Sequence, residues 1–299
     1  MKRWNGWGNV ATDYPLPAPA EAYLAGKLGS LSPAPDAAMS DILAAVPESR
    51  LPEQRLVRTD PETRLRHARG QSLPDWAALR YGRVDSFPDG VAFPESESDV
   101  AELLGYAKNA GARVIPYGGG TSVVGHINPA RGDAPVLTLS MERMNRLLAL
   151  DETSRLATFE AGVAGPQLES QLNERGYTLG HFPQSFEYST LGGWIVTRSS
   201  GQQSLRYGRI EQMFAGGRME TPRGRLELPV FPASAAGPDL REMVLGSEDA
   251  WAWSHRPQCE CVPARKRNPS TASFSAPGSR VLPQCGAYSK ITCRFRCCA

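Results

Sequence analysis

Three consecutive glycines, Gly118 to Gly120, sit in the stretch Pro116 to His126, PYGGGTSVVGH, and limit the fold more strongly than any other part of the chain. A backbone without Cβ atoms can lie directly against a ligand and aim several N–H groups at one point. Thr121 and Ser122 follow at once and add hydroxyl donors. That is phosphate-binding chemistry, and it suits a diphosphate held by a loop with no lysine of its own. A nucleoside-triphosphatase loop reads G-x-x-x-x-G-K-S/T, and a dinucleotide fingerprint reads G-x-G-x-x-G between a strand and a helix. Neither spacing occurs here. Taken alone, the triplet also fits a flexible glycine loop, so its neighbours must decide.

Those neighbours are regular. Val91-Ala92-Phe93 reads as a short strand ended by Pro94, with Ser96 and Ser98 as N-cap candidates for a helix. Val100, Leu103, Leu104 and Ala107 fall on one helical face, and Gly111 stands where a C′ glycine belongs. Arg113 to Pro116 forms the next strand, and the glycine loop leaves its end. Pro135 to Ser140 and Arg155 to Ala161 read as alternating, half-buried strands. Gly165 to Gly176 reads as an amphipathic helix with Leu168 and Leu172 inward. Tyr207 to Leu228 suggests two strands joined through a TPRGR turn containing Pro222 and Gly224, the first weakened by Gly216-Gly217. Small sheets flanked by helices place the chain in the α+β class.

Upstream, residues 1–60 are rich in Pro and Ala, with a short helix expected around Met39 to Ala45 and Trp4 and Trp7 in WNGWG. Both indoles are expected to plug against a body elsewhere, because exposing that much apolar area is costly. In the basic amphipathic stretch RLRHARGQSLPDWAALRYGRV, His67 reads as a hydrogen-bonded structural residue. Pro183 to Ser204 is dense in hydroxyls and glycine yet carries Leu191, Trp194, Ile195 and Val196 at its centre. Such a segment is expected to be buried against something polar, and a cofactor fits.

A chain of 299 residues has ample length for a buried core. No run of about 18 apolar residues exists to span a membrane. The N-terminus lacks the apolar core of a secretory signal, which leaves the cytoplasm as the expected compartment. Of 33 Lys and Arg and 31 Asp and Glu, the segment after Glu248 holds 8 and 2, leaving a mildly acidic body of 25 basic and 29 acidic residues. All six cysteines (Cys259, Cys261, Cys285, Cys293, Cys297 and Cys298) also lie in that basic tail. Their spacing lacks the paired C-x2-C of a tetrahedral site, so no metal is expected.

Four ordered motifs, PYGGGTSVVGH, PQSFEYSTLGGW, TRSSGQQS and LGSE, resemble the FAD-binding domain of the vanillyl-alcohol oxidase and p-cresol methylhydroxylase (PCMH-type) superfamily. WNGWG, RHARGQSL and PQSFEYSTLGGWIVTRSSG are most similar to the alkyldihydroxyacetonephosphate synthases and their bacterial relatives. The match covers nearly all of Met1 to Glu248. The resemblance implies that Pro116, Tyr117, Gly118, Gly119, Gly120, Thr121 and Ser122 wrap the diphosphate of FAD. It places the span Gln184 to Thr190, with Ser185 in it, at the flavin and ribityl chain, and gives Gly192 and Gly193 a close backbone approach. Thr197, Arg198, Ser199 and Ser200 would floor the pocket, while Glu211 and Gly246 to Glu248 would lie on the adenine and diphosphate side. FAD is held non-covalently in the synthase group, which leaves His126 a weak candidate for attachment. The implied activity exchanges the acyl chain of an acyl-dihydroxyacetone phosphate for a fatty alcohol, without net redox change. The implied partner is a small-molecule or lipid-like substrate, with no nucleic acid and with a homodimer left open. The family's catalytic tyrosine, histidine and arginine come from a substrate-capping domain, so no catalytic residue is assigned. FAD-dependent oxidation of a 2-hydroxy acid such as lactate or glycolate is the alternative activity, and a non-enzymatic fragment is a third.

In the family, GSE continues as Gly-x-Leu-Gly-Val-Ile-Thr, a strand that closes the domain. Here Glu248 is followed by DAWAWSHRPQCECVPARKRNPSTAS. Back-translating Trp251-Ala252-Trp253 and regrouping one base earlier forces a glycine flanked by Leu, Met or Val. With suitable synonymous codons Asp249 to His255 becomes Gly-Arg-Leu-Gly-Val-Val-Thr. A base lost between the Glu248 and Asp249 codons is therefore expected. The resulting map is an N-terminal segment, 1–83, an incomplete FAD-binding domain, 84–248, and an out-of-frame, disordered tail, 249–299, with the capping domain missing. Loss of the closing strand is expected to leave a sheet edge exposed and flavin bound weakly at best.

Overall fold

The computed structural model describes residues 2–12, 14–30, 32–33, 35–231, 235–248 and 253–264, the side chains of 253–256 excepted. A first sheet forms from β1 (Val57–Arg58), β2 (Gly90–Ala92), β3 (Arg113–Tyr117) and β4 (Val136–Ser140), in the order β1-β2-β4-β3. Strands β2 and β3 both run parallel to β4, and β1 caps the edge antiparallel to β2. Parallel strands that follow one another in the chain need a crossover connection, here from β2 past β4 to β3. The helix Glu97–Asn109 supplies it, capped by Ser96 Oγ, which accepts the Asp99 N–H at 3.2 Å. Gly111, at φ 62°, turns the chain away after its end. Val100, Leu103 and Ala107 pack into one cluster with Leu137 and Leu139. β4 is buried at all five positions instead of alternating as expected, because it has a partner on each edge and cover on each face. Its first residue is pinned by Asp89, whose buried carboxylate accepts the Val136 N–H and pairs with Arg50, both at 2.7 Å.

The second sheet is antiparallel throughout. It contains β5 (Leu147–Asp151), β6 (Leu156–Phe159), β8 (Phe214–Thr221), β9 (Gly224–Leu228) and β10 (Trp253–Glu260), in the order β5-β6-β10-β8-β9. A two-stranded ladder of β7 (Tyr177–Thr178) and β11 (Val262–Pro263) follows it. The β8–β9 hairpin turns at Pro222 as expected, but its first strand begins at Phe214, not Tyr207. Two short helices, Ser204–Tyr207 and Ile210–Met213, take up the intervening residues. The core of this half gathers Phe159, Leu168, Leu172, Leu191, Trp194, Ile210, Phe214 and Met219.

The expectation for the region after Glu248 is corrected over the residues described. Trp253 to Glu260 forms the central strand of the second sheet, between β6 and β8, so no edge is left exposed there. Cys259 and Cys261 are fully buried on one side of the strand direction and Glu260 is exposed between them. Residues 265–299, with Cys285, Cys293, Cys297 and Cys298, lie outside the described residues. One compact unit runs from Met1 to Pro263, so the segment 1–83 and the strand β10 belong to the same body as 84–248. Trp4 packs against the cluster of Ile42, Leu65 and Leu79, and Trp7 meets the Tyr188 ring edge-on at 5.0 Å. His67 has the expected structural role, its Nδ1 lying 2.8 Å from the Thr63 carbonyl.

Because β10 is internal, its removal separates β5–β6 from β8–β9. A chain ending at Pro263 is expected to keep the melting temperature of the full chain, and one ending at Glu248 to aggregate or melt well below it. Differential scanning fluorimetry of the two truncations checks this.

Candidate functional site

The glycine loop leaves the carboxyl end of β3, where crevices open in parallel sheets. Each of its glycines is required for a different reason. A Cβ on Gly118 would strike the Thr190 hydroxyl, and one on Gly119 the Tyr188 carbonyl. Gly120 has φ +70°, and a Cβ there would strike the Tyr117 hydroxyl. The missing side chains thus let the loop press against residues 188–190; the space they vacate does not face a ligand, as the sequence suggested. The ligand side is the backbone. Among the described residues, none accepts a hydrogen bond from the N–H groups of Gly119, Gly120, Thr121, Ser122 or Val123. A row of unpaired donors beside two hydroxyls is an anion nest.

The opposite wall is the short helix Leu191–Val196, opened by Thr190, whose Oγ1 accepts the Gly193 N–H at 3.4 Å. Leu191, Trp194 and Ile195 are buried because the helix packs them into the core of the second sheet. That corrects the expectation of burial against a cofactor for Leu191 and Ile195, while Trp194 and Val196 also line the cleft. The Trp194 indole donates to Ser189 Oγ at 2.7 Å. Beneath Trp194 lies His181, 4.9 Å from it ring to ring and 3.1 Å from Ser199 Oγ through Nε2. Burial pushes the His181 pKa down to about 4, so this buried ring is neutral at pH 7.

Between the two walls is a cleft of about 290 Å³. Pro116 and Gly118 to Ser122 line one side; Ser185, Thr190, Gly193, Thr197 and Ser199 line the other, and Glu248 stands at the end. Gln184 and Ser200 line an adjoining groove of about 690 Å³ together with Trp7 and Trp76. Tyr117 faces away, into a rear cavity of about 370 Å³, where burial pushes its hydroxyl pKa up. Gly192 and Arg198 line none of the three. A Cβ on Gly192 would lie 2.9 Å from that of Ala161, and Arg198, at φ 52°, pairs with Glu242. Glu211 is likewise absent from the three linings.

Val123, Val124 and Trp194 line the cleft without having been expected there; Ser189, from the expected span, and His126, the weak attachment candidate, line it too. The His126 ring lies 3.0 Å from Ser122 Oγ through Nδ1 and 3.1 Å from the Glu248 carboxylate through Nε2. Glu248 reaches it from a left-handed backbone at φ 53°, unusual for a residue with a side chain. The spacing Ser122 to His126 was visible in the motif, but its partner 122 positions later in the sequence was not.

Residues 88–228 match a family described as FAD binding domain. The chain carries a FAD-binding domain of the PCMH type. It is similar to alkyldihydroxyacetonephosphate synthase of Dictyostelium discoideum, 41% identical over 198 residues that cover 66% of this chain and 32% of that protein. A solved alkyldihydroxyacetonephosphate synthase superposes with a TM-score of 0.74 at 29% identity, covering 89% of this chain and 55% of the other. The mitochondrial D-lactate dehydrogenase [cytochrome] of Arabidopsis thaliana is 31% identical over 162 residues, 53% of this chain and 27% of that protein. The chain thus spans about a third to a half of the length of these relatives. Its cofactor is FAD, and the site fits it on its own evidence: unpaired N–H groups for a diphosphate, and beside them a long groove with two indoles. Among the described residues no group of His, Cys, Asp and Glu could hold a metal ion, and no helix is long and apolar enough to cross a membrane.

Gly119→Ala tests the close approach of the two loops. The added methyl must displace the Tyr188 carbonyl, so this overpacking is expected to cost about 1–3 kcal/mol of stability. FAD affinity is expected to fall at least tenfold, read by fluorescence titration alongside the melting temperature.

Proposed function

We propose that this chain binds FAD non-covalently as the flavin-binding part of an enzyme of the alkyldihydroxyacetonephosphate synthase type. The carrying observation is the cleft itself: the nest of Gly119 to Val123 opens into a groove within the stretch most similar to those synthases. The nest would hold the diphosphate, with Thr121, Ser122, Thr197 and Ser199 adding hydroxyls. Ser185 and Thr190 would face the ribityl chain, and Gln184 and Ser200 the groove beyond. When bound, the flavin supplies an electron-accepting ring at which a substrate carbon can be activated. Side chains of this chain bind and orient that ring; none is assigned to the exchange of an acyl chain for a fatty alcohol on dihydroxyacetone phosphate.

A second activity, oxidation of a 2-hydroxy acid, is favoured by the similarity to D-lactate dehydrogenase. The test is to purify residues 1–299, measure flavin absorbance per chain, and supply each substrate class. We expect about one FAD per chain and no turnover of either class. Formation of alkyl-dihydroxyacetone phosphate would overturn the placement of the catalytic groups outside this chain, and reduction of the flavin by lactate would favour the second activity.

We also infer that the segment from Asp249 arises from a lost base. Regrouped, Asp249 to His255 yields the apolar, glycine-containing closing strand of the family, in the region where the chain now enters β10. Resequencing the gene across the Glu248 and Asp249 codons is expected to reveal one more base and an open frame running on. An unchanged sequence would sink the inference.

A further inference from the structure

The nest lacks a lysine in its own motif, yet a lysine touches it. Lys2 Nζ donates to the Gly119 carbonyl at 2.7 Å, from 117 positions away in the chain. The ammonium lies over the Tyr188 ring, 5.2 Å from its centroid, in the rear cavity that also contains Tyr117 and Glu142. Burial lowers its pKa while Glu142 opposes the shift. Its backbone is fixed by a bridge to Asn9 and by Arg66, which donates to the Lys2 carbonyl at 3.3 Å. Three residues further along the loop, the Ser122 carbonyl accepts the Gln71 N–H at 2.6 Å. Gln71 is held in turn through Gly70, whose N–H donates to Asn128 Oδ1 at 3.0 Å, and Asn128 donates to the buried Asp75 at 2.6 Å.

In a planar trans peptide the carbonyl of one residue and the N–H of the next point in opposite directions. Capturing the Gly119 carbonyl from behind therefore turns the Gly120 N–H to the front, and capturing the Ser122 carbonyl does the same for Val123. Both N–H groups belong to the unpaired row. We propose that Lys2 and Gln71 form an orienting clamp on the glycine loop, in which Lys2 is a positioning residue for diphosphate binding that acts through the Gly119 peptide from the side opposite the ligand. The clamp rests on the assignment of this nest to the diphosphate of FAD. It lies in residues 2–71, ahead of the matched region 88–228. A nest whose peptides are already turned need not reorganise on binding, which is how a loop without its own lysine can hold a double negative charge.

The test uses the full 299-residue chain, with inorganic pyrophosphate and FAD titrated by calorimetry and Gly120 followed as a labelled amide. Lys2→Met keeps length and loses the charge and the donor. It is expected to weaken both ligands at least tenfold and to shift the Gly120 amide resonance before any ligand is added. Lys2→Arg, which can still donate to the carbonyl, is expected to restore most of the affinity. Gly70→Ala places a Cβ 2.5 Å from the Ser122 carbonyl and is expected to weaken pyrophosphate through the other arm. Lys2→Met binding as tightly as wild type would overturn the clamp alone. Equal losses in Lys2→Met and Lys2→Arg would also overturn it, since they would mark a packing role. Failure of the wild-type chain to bind either ligand would overturn both the clamp and the assignment of the nest.

Discussion

The close approach of two backbones, Gly118 to Gly120 against Tyr188 to Thr190, holds the site together. One strand of loop belongs to the first sheet and the other to the core of the second. The seam continues below them: Ala164 bridges Thr190, and the Gly192 N–H bonds the Ala161 carbonyl at 2.8 Å. Gly162 extends the same logic, because a Cβ there would strike the Met141 carbonyl at the end of β4. Each sheet carries its own apolar cluster, so hydrophobic burial stabilises the halves while glycine contacts set the distance between them. A cleft at such a seam has polar backbone on both walls without having to unfold either half to expose it.

That division explains what the sequence disclosed. The helix Glu97–Asn109, β3 and the helix Gly165–Asn173 were legible because each has one apolar face and one wet face, which imposes a period. β4 was found but misjudged, since a strand covered on both sides has no alternation to read. The glycine triplet announced a special loop, but not which atoms the missing Cβ groups would have met; those lie some 70 residues downstream, at Tyr188 and Thr190. Leu191 to Val196 misled for a related reason. Apolar residues inside a hydroxyl-rich stretch were all read against the ligand, when the helix packs Leu191 and Ile195 into the core and leaves Gly193, Val196 and Thr197, with part of Trp194, along the cleft.

β10 marks the limit of pattern reasoning more sharply. Among the described side chains alternation is limited to Pro257 to Cys261, yet the slot between β6 and β8 presents N–H and C=O groups to any extended chain. Ladder hydrogen bonds are made by the backbone and do not depend on side-chain identity. What composition decides is how well the faces then pack, and register shifts interrupt the β10–β8 pairing twice, between Ser254 and Arg256 and between Gln258 and Cys259. A strand with little apolar patterning can thus hold a central position in a sheet while fitting it imperfectly.

The charges around the cleft follow from the same geometry. Its walls offer N–H dipoles and hydroxyls, and Glu248 in its lining carries a carboxylate bound to His126. A carboxylate at that place would repel a diphosphate in direct contact. The positive charge stands behind the loop, on Lys2, with the Gly119 peptide between it and the cleft. From there it polarises the peptide without projecting an ammonium among the phosphate oxygens. The cleft is left to groups whose directions are fixed by backbone, and a ligand bound there bridges the two halves alongside contacts such as the Arg225–Glu97 ion pair.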